Sequence, residues 1–305
     1  MLPILFAPLQ GYTDYAYRNF HNEIFGGIDA YYTPFIRIEH GELRKKDVRD
    51  ASFDNDETGK IIPQVIVKDV TELDFLVSRL VEMGHKRIDI NMGCPFPLQT
   101  KKGRGAGLLS SPERVKEIMD YVNERGDVDF SLKMRLGNVD ANECIELLPI
   151  LNNTRLVHIV VHPRIATQQY KGDLNMEIFE SFIKGCNKPV VFNGEIKSVE
   201  DICNLEKAYP TLAGIMVGRG LLSRPSMANE YKLGKSLSEK ELYDKVMRFH
   251  ENVFNHYSQQ LQGDSHILMK MKTFWEYLES IIGHKQYKLV KKAVSVAKYN
   301  AALNI

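Results

Sequence analysis

The stretch RIDINMGCP at residues 87–95 reads as a short apolar strand, 87–91, that runs straight into a polar, turn-forming end, Asn91-Met92-Gly93-Cys94-Pro95. The same pattern recurs on both sides of it. Apolar or β-branched runs at 4–8, 29–34, 61–66, 129–134, 156–161, 188–192 and 213–217 bring the strand count to eight, and amphipathic intervals separate them. Several of those intervals open on helix-start residues: Thr13-Asp14, Asp69 with Thr71, Ser110-Ser111-Pro112-Glu113 and Ser198. Eight strand–helix repeats within about 230 residues predict a (β/α)8 TIM barrel. A doubly wound sheet would need a glycine-rich first turn, and Pro8-Leu9-Gln10-Gly11 lacks it.

From about residue 236 the strand signal stops. Helical stretches are expected at 238–261, 266–281 and 285–301, so the chain divides into a barrel domain, 1–235, and an all-helical domain, 236–305. The chain has 305 residues, 44% of them hydrophobic, enough for a large core. The start, MLPILFAP, reads as a first strand and not as a leader, and no run is apolar enough to span a bilayer. Cys94, Cys144, Cys186 and Cys203 form no CxxC pair, which points to a reducing cytoplasm and to no structural metal. Charge is uneven. Residues 231–305 carry 12 Lys and Arg against 7 acids, a surplus of five, whereas the rest of the chain is net negative by four. Such a basic tail suits a polyanionic partner.

In a barrel of this kind the working residues sit at the C-terminal strand ends. There the sequence places Pro8, Gln64, Asn91, Cys94, Lys133, Arg135, His162, Arg164, Asn193, Gly194, Glu195, Gly218 and Arg219. The loops after strands seven and eight are the usual phosphate site of the fold; Gly194, Gly218 and Gly220 allow close backbone approach and Arg219 adds a cation. Lys133 lies mid-strand among apolar neighbours, so its ammonium needs an anionic partner or a lowered pKa. The negative edge of a reduced flavin answers that need, with a Schiff-base lysine as the competing chemistry. Cys94 lies outside regular structure, where a neutral thiol can donate a proton. The other three cysteines read as packing. The glycine-rich run 103–107 reads as a flexible lid.

These residues resemble the tRNA-dihydrouridine synthase family. APLQGYTD at 7–14, NMGCP at 91–95, GRGAGLL at 103–109, KMR at 133–135, His162-Pro163-Arg164 with QQYKG at 168–172, NGEI at 193–196 and GRGLLSRP at 218–225 follow the family's order across about 220 residues. Pro163 and Leu9 depart from it, the latter by a mild volume-conserving change. The resemblance implies FMN held by Pro8, Leu9, Gln10, Gln64, Lys133, His162, Asn193, Gly194, Glu195, Gly218 and Arg219. It also implies NADPH as reductant, uridine of the tRNA D-loop as substrate and Cys94 as proton donor. Asn91, Arg135 and Arg164 are candidates for the substrate, with Lys270, Lys272, Lys285, Lys288 and Lys292 for the tRNA body. Lys285, Lys288 and Lys292 share one helical face, with Leu289, Val290, Val294 and Ala297 expected to pack on the other side. The protein is expected to be monomeric. A reductase of free pyrimidines would need no basic tail, and a non-catalytic tRNA-binding protein would hold no flavin.

Overall fold

The computed structural model describes residues 1–304. Its barrel strands are β1 (Ile4–Phe6), β2 (Ala30–Tyr32), β3 (Ile61–Ile62 with Gln64–Val65), β4 (Arg87–Met92), β5 (Asp129–Gly137), β6 (Ile159–Ile165), β7 (Val190–Phe192) and β8 (Gly214–Val217). All neighbours are parallel, and β1 pairs with both β2 and β8. The ring closes through β3, which is broken at Pro63, a residue with no N–H for the ladder. Its first half pairs with β2 and its second with β4. The eight-stranded barrel read from the sequence is therefore present, as nine strand segments in one sheet.

Strand alternation gives two cores. One lies between the sheet and the surrounding helices. The other fills the barrel with Leu5, Ala7, Ala30, Tyr32, Ile62, Val160, Val191 and Met216. Those inward residues come mainly from β1, β2, β6, β7 and β8. On the opposite wall the register places Gln64 beside Asp89 and Asp89 beside Ser131, then Asn91 beside Lys133, then Arg135 beside His162. The interior is thus apolar on one wall and polar on the other.

The expected helix starts hold where they can be checked. Asp14, Asp69 and Ser198 each accept a backbone N–H of the first turn, and Pro112 occupies the first turn of its helix. β6 begins and ends later than expected, because Pro163 lies inside the strand instead of in a loop. A small excursion after β2, the hairpin of Ile38–Glu39 with Glu42–Leu43 and a helix Lys45–Ala51, was not legible in the apolar pattern.

Beyond Gly234, whose left-handed conformation ends the helix Met227–Leu233, helices follow at Glu239–Gln260, Asp264–Phe274, Glu279–Ile282, His284–Lys292 and Val296–Leu303. The second and third expected helices are each broken. In the second, the 3-10 turn Trp275–Tyr277 separates Asp264–Phe274 from Glu279–Ile282, and in the third Ser295 caps a new helix after an extended Ala293. The tail packs on the barrel through Phe249, whose ring meets Tyr17 edge-on at 4.8 Å. Trp275 is fully buried in the core and donates to the Tyr299 hydroxyl. Among the described residues no helix is long and apolar enough to cross a membrane.

Asp14 joins the two parts. It caps helix Tyr15–Ile24, accepts from the Tyr257 hydroxyl and pairs with Lys270 at 2.6 Å. Asp14→Ala removes the cap and leaves Lys270 unpaired, and is expected to cost roughly 1–3 kcal/mol in a urea titration.

Candidate active site

Cys94 is placed by backbone bonds, not by its own side chain. The Asn91 side-chain oxygen accepts the N–H of Gly93 at 3.0 Å and of Cys94 at 2.9 Å. Arg135, buried, donates to the Gly93 carbonyl at 2.9 Å and to Ile165 at 3.0 Å, which ties the cysteine loop to the end of β6. Ala106 donates to the Cys94 carbonyl at 3.1 Å. The segment 103–107 is consequently no lid. Arg104 is buried against Glu72, and Gly105–Leu108 forms a single helical turn under the loop.

Gly105 has φ +58, and a Cβ there would lie 2.8 Å from the Cys94 oxygen and 2.9 Å from its Cβ. Gly105→Ala therefore has to push the cysteine loop or strain its own backbone, at roughly 1–3 kcal/mol. The expected outcome is a folded protein of lower urea midpoint with an altered Cys94 alkylation rate.

Burial raises the Cys94 thiol pKa, and this outweighs the lowering by the Phe96 N–H, Arg135 and Lys133. The thiol is thus neutral near pH 7 and can act as an acid. Lys133 is lowered to about 8, first by burial and then by Arg135, with Asp89 opposing. It remains largely charged at pH 7. His162 lies well below its ordinary range because burial and Arg135, Lys133, Arg164 and Arg219 all disfavour its cation. Its Nε2 faces the Arg164 guanidinium at 3.4 Å, so a neutral ring presents an acceptor there and carries its hydrogen on Nδ1.

Glu195 gathers the arginines. It accepts from Arg164 at 2.8 Å and Arg219 at 3.0 Å, and Lys197 lies 3.3 Å away. Burial alone would raise its pKa, but these partners, Arg164 first, hold it low. Arg164 also donates twice to Gly172. Tyr170, which carries no assigned role in the sequence reading, lies under the Arg219 guanidinium at 4.7 Å and the Arg135 guanidinium at 5.4 Å.

Four cations thus line the mouth against Glu195 and the deeper Asp89. That surplus suits an anionic group, and Lys133, with no hydrogen-bond partner among the described residues, is the cation free to meet it.

The remaining expected residues divide. Pro8 and Leu9 are half-buried at the end of β1, and Gln10 is exposed, donating to the Phe35 carbonyl. Gln64 has no exposed surface and reaches the mouth only through Asn91. Asn193 donates to Met216, joining β7 to β8. Gly194 and Gly220 are required internally: a Cβ would strike the Phe192 ring in the first case and the Ile196 carbonyl in the second. Gly218 has only ordinary contacts and stays open to a ligand. On the tail, Lys270 is engaged by Asp14 and Lys272 is half-buried, while Lys285, Lys288 and Lys292 are exposed. Of the apolar residues expected behind them only Val290 is buried; Leu289 is 49% and Val294 72% exposed. Asp89 and Ser131 were missed, although strand alternation puts Asp89 on the face of Asn91.

The model of the family described as "Dihydrouridine synthase (Dus)" matches residues 5–304. The chain is 29% identical over 238 residues to the tRNA-dihydrouridine(16) synthase of Neisseria meningitidis serogroup B, covering 75% of this chain and 71% of that protein. It is 28% identical over 262 residues to the probable tRNA-dihydrouridine synthase 2 of Bacillus subtilis, covering 83% and 78%. Among solved structures, the old yellow enzyme from Trypanosoma cruzi superposes with a TM-score of 0.54 at 9% identity, covering 79% of this chain and 92% of that one. Morphinone reductase gives 0.54 at 10%, covering 79% and 88%. At these identities the structural likeness speaks to the fold.

Proposed function

The chain belongs to the dihydrouridine synthase family, and from that premise we propose that it reduces the C5=C6 bond of a uridine in the tRNA D-loop to 5,6-dihydrouridine, with FMN and NADPH, and that Cys94 is the proton donor. The observation that carries this reading is a thiol held through its backbone beside a mouth with surplus positive charge. Bound FMN, recharged by NADPH, would supply hydride to uracil C6.

The C5=C6 bond is conjugated with the C4 carbonyl, so negative charge collects toward C5 and O4 as C6 is reduced. A proton has to reach C5, and in this reading the Cys94 thiol gives it. Lys133 would meet the anionic edge of the flavin, Pro8, Leu9, Asn193 and Gly218 would help to hold it, and Arg219, oriented by Glu195, would supply a cation for its phosphate. His162 offers Nδ1–H to a carbonyl or ring nitrogen. Arg164 orients the uracil, and Arg135, Asn91 and Gln64 act through the cysteine loop.

A uridine of folded tRNA has to leave its stack to enter the barrel. The tail, 236–305, supplies the grip. Lys285, Lys288 and Lys292 meet phosphates, and exposed Leu289 lies among them. Changing the three lysines to Gln is expected to flatten the plot of log affinity against log salt by about 2, since each phosphate contact contributes roughly 0.7–0.9. An unchanged slope would place the grip elsewhere. Four free cysteines fit the reading of a reducing cytoplasm. The purified full chain is expected to be yellow and to reduce tRNA in preference to free uracil. A yellow protein active only on free uracil contradicts the tRNA substrate, and a colourless one contradicts the chemistry.

A further inference from the structure

We propose that Asp89 is a positioning residue for Cys94: it closes a one-directional chain of buried amides whose last oxygen holds the cysteine loop. The role of Cys94 itself rests on the reading above.

Ser131 Oγ donates to Asp89 Oδ1 at 2.6 Å, and Gln64 Nε2 donates to Asp89 Oδ2 at 2.7 Å. Asn91 Nδ2 donates to Gln64 Oε1 at 2.7 Å. Asn91 Oδ1 then accepts the two N–H groups of the cysteine loop. Asp89, Gln64, Asn91 and Ser131 are all buried.

Shape alone cannot orient an amide, because its oxygen and nitrogen are nearly the same size. Here both ends decide. The lower end is a carboxylate, which only accepts; the upper end is two backbone N–H groups, which only donate. Turning Gln64 over would set its carbonyl against the carboxylate and its NH2 against that of Asn91. Turning Asn91 over would set an NH2 against Gly93 and Cys94. A single arrangement satisfies every atom, so the network is rigid. Burial raises the Asp89 pKa to about 6, with Ser131, Gln64 and Lys133 pulling it down, so the acceptor-only form prevails at pH 7.

Removing the carboxylate leaves the Gln64 NH2 buried and unpaired, which loosens the chain up to Cys94. Moving it one place along preserves the direction. In Asp89→Asn with Gln64→Glu, the carboxylate now at position 64 accepts from amides on both sides, and the amide oxygen at position 89 still takes the Ser131 hydroxyl hydrogen.

The test is the rate at which iodoacetamide labels Cys94 in the folded full chain, read on the Cys94 peptide, for wild type, Asp89→Leu and the double variant. Asp89→Leu is expected to label about tenfold faster, which corresponds to about 1.4 kcal/mol of lost restraint, and to lose kcat with little change in KM for tRNA. The double variant is expected to label as wild type does. Wild-type labelling in Asp89→Leu overturns the proposal, as does a double variant that behaves like Asp89→Leu. If Asp89→Leu does not fold, the double variant decides alone, supporting the proposal by wild-type labelling and overturning it by faster labelling or failure to fold. Labelling needs neither flavin nor tRNA. A wild-type protein that forms no dihydrouridine but shows this labelling pattern would keep the positioning chain and lose the functional reading.

Discussion

Replacing Cys94 by alanine is expected to lower dihydrouridine formation by roughly 10²–10⁴-fold, the usual contribution of a positioned general acid, while flavin content and tRNA affinity stay near wild type. The geometry explains why the effect should be confined to turnover. The loop is held through the backbone N–H groups of Gly93 and Cys94, the Gly93 carbonyl and the Cys94 carbonyl, none of which the substitution removes. Only the thiol is lost. Serine, close in size and a far weaker acid, is expected to restore little, which separates acidity from packing. Single-turnover rates with prereduced flavin check this directly; a Cys94→Ala rate within a few fold of wild type would remove the cysteine from the chemistry.

The second large effect belongs to Lys133. Lys133→Met takes the unpaired cation from the mouth and is expected to lower turnover by roughly 10²–10³-fold, as when a preorganised electrostatic partner is deleted, together with weaker flavin retention. A pH profile adds a signed test. Burial and Arg135 lower the Lys133 pKa to about 8, so the ammonium is present below that value and is lost as pH rises through it. The wild-type rate should fall above about pH 8. Lys133→Arg keeps its charge well beyond that range, so its falling limb should move upward even if its maximum rate is lower. An identical limb in both proteins would assign the titration to another group.

The barrel was legible because strand ends carry their own signal. RIDIN running into MGCP, KMR within β5 and NGEI after β7 place polar residues where an apolar strand stops, and the fold gathers those ends at one mouth. What the sequence could not show is which polar groups would satisfy one another. Gln64 and Asn91 looked like ligands for a cofactor and a substrate. In the fold their amides are joined between Asp89 and the cysteine loop, a pairing set by the cross-strand register. The run 103–107 looked mobile from its glycines, yet Gly105 is there for the close approach of Cys94, and Arg104 is clamped by Glu72. In the tail, helical periodicity survives across a break. The pattern 285–301 reads as one helix, but the turn at 293–295 changes its face, which turns Val294 outward with the lysines.

The most direct measurement is nucleoside mass analysis of unmodified tRNA after incubation with the purified full chain, FMN and NADPH. A D-loop uridine is expected to gain two hydrogens in the wild-type reaction, and this gain should nearly vanish with Cys94→Ala, although the variant still binds flavin. Unchanged tRNA with a flavin-loaded wild-type protein, or equal conversion by Cys94→Ala, would contradict the assignment.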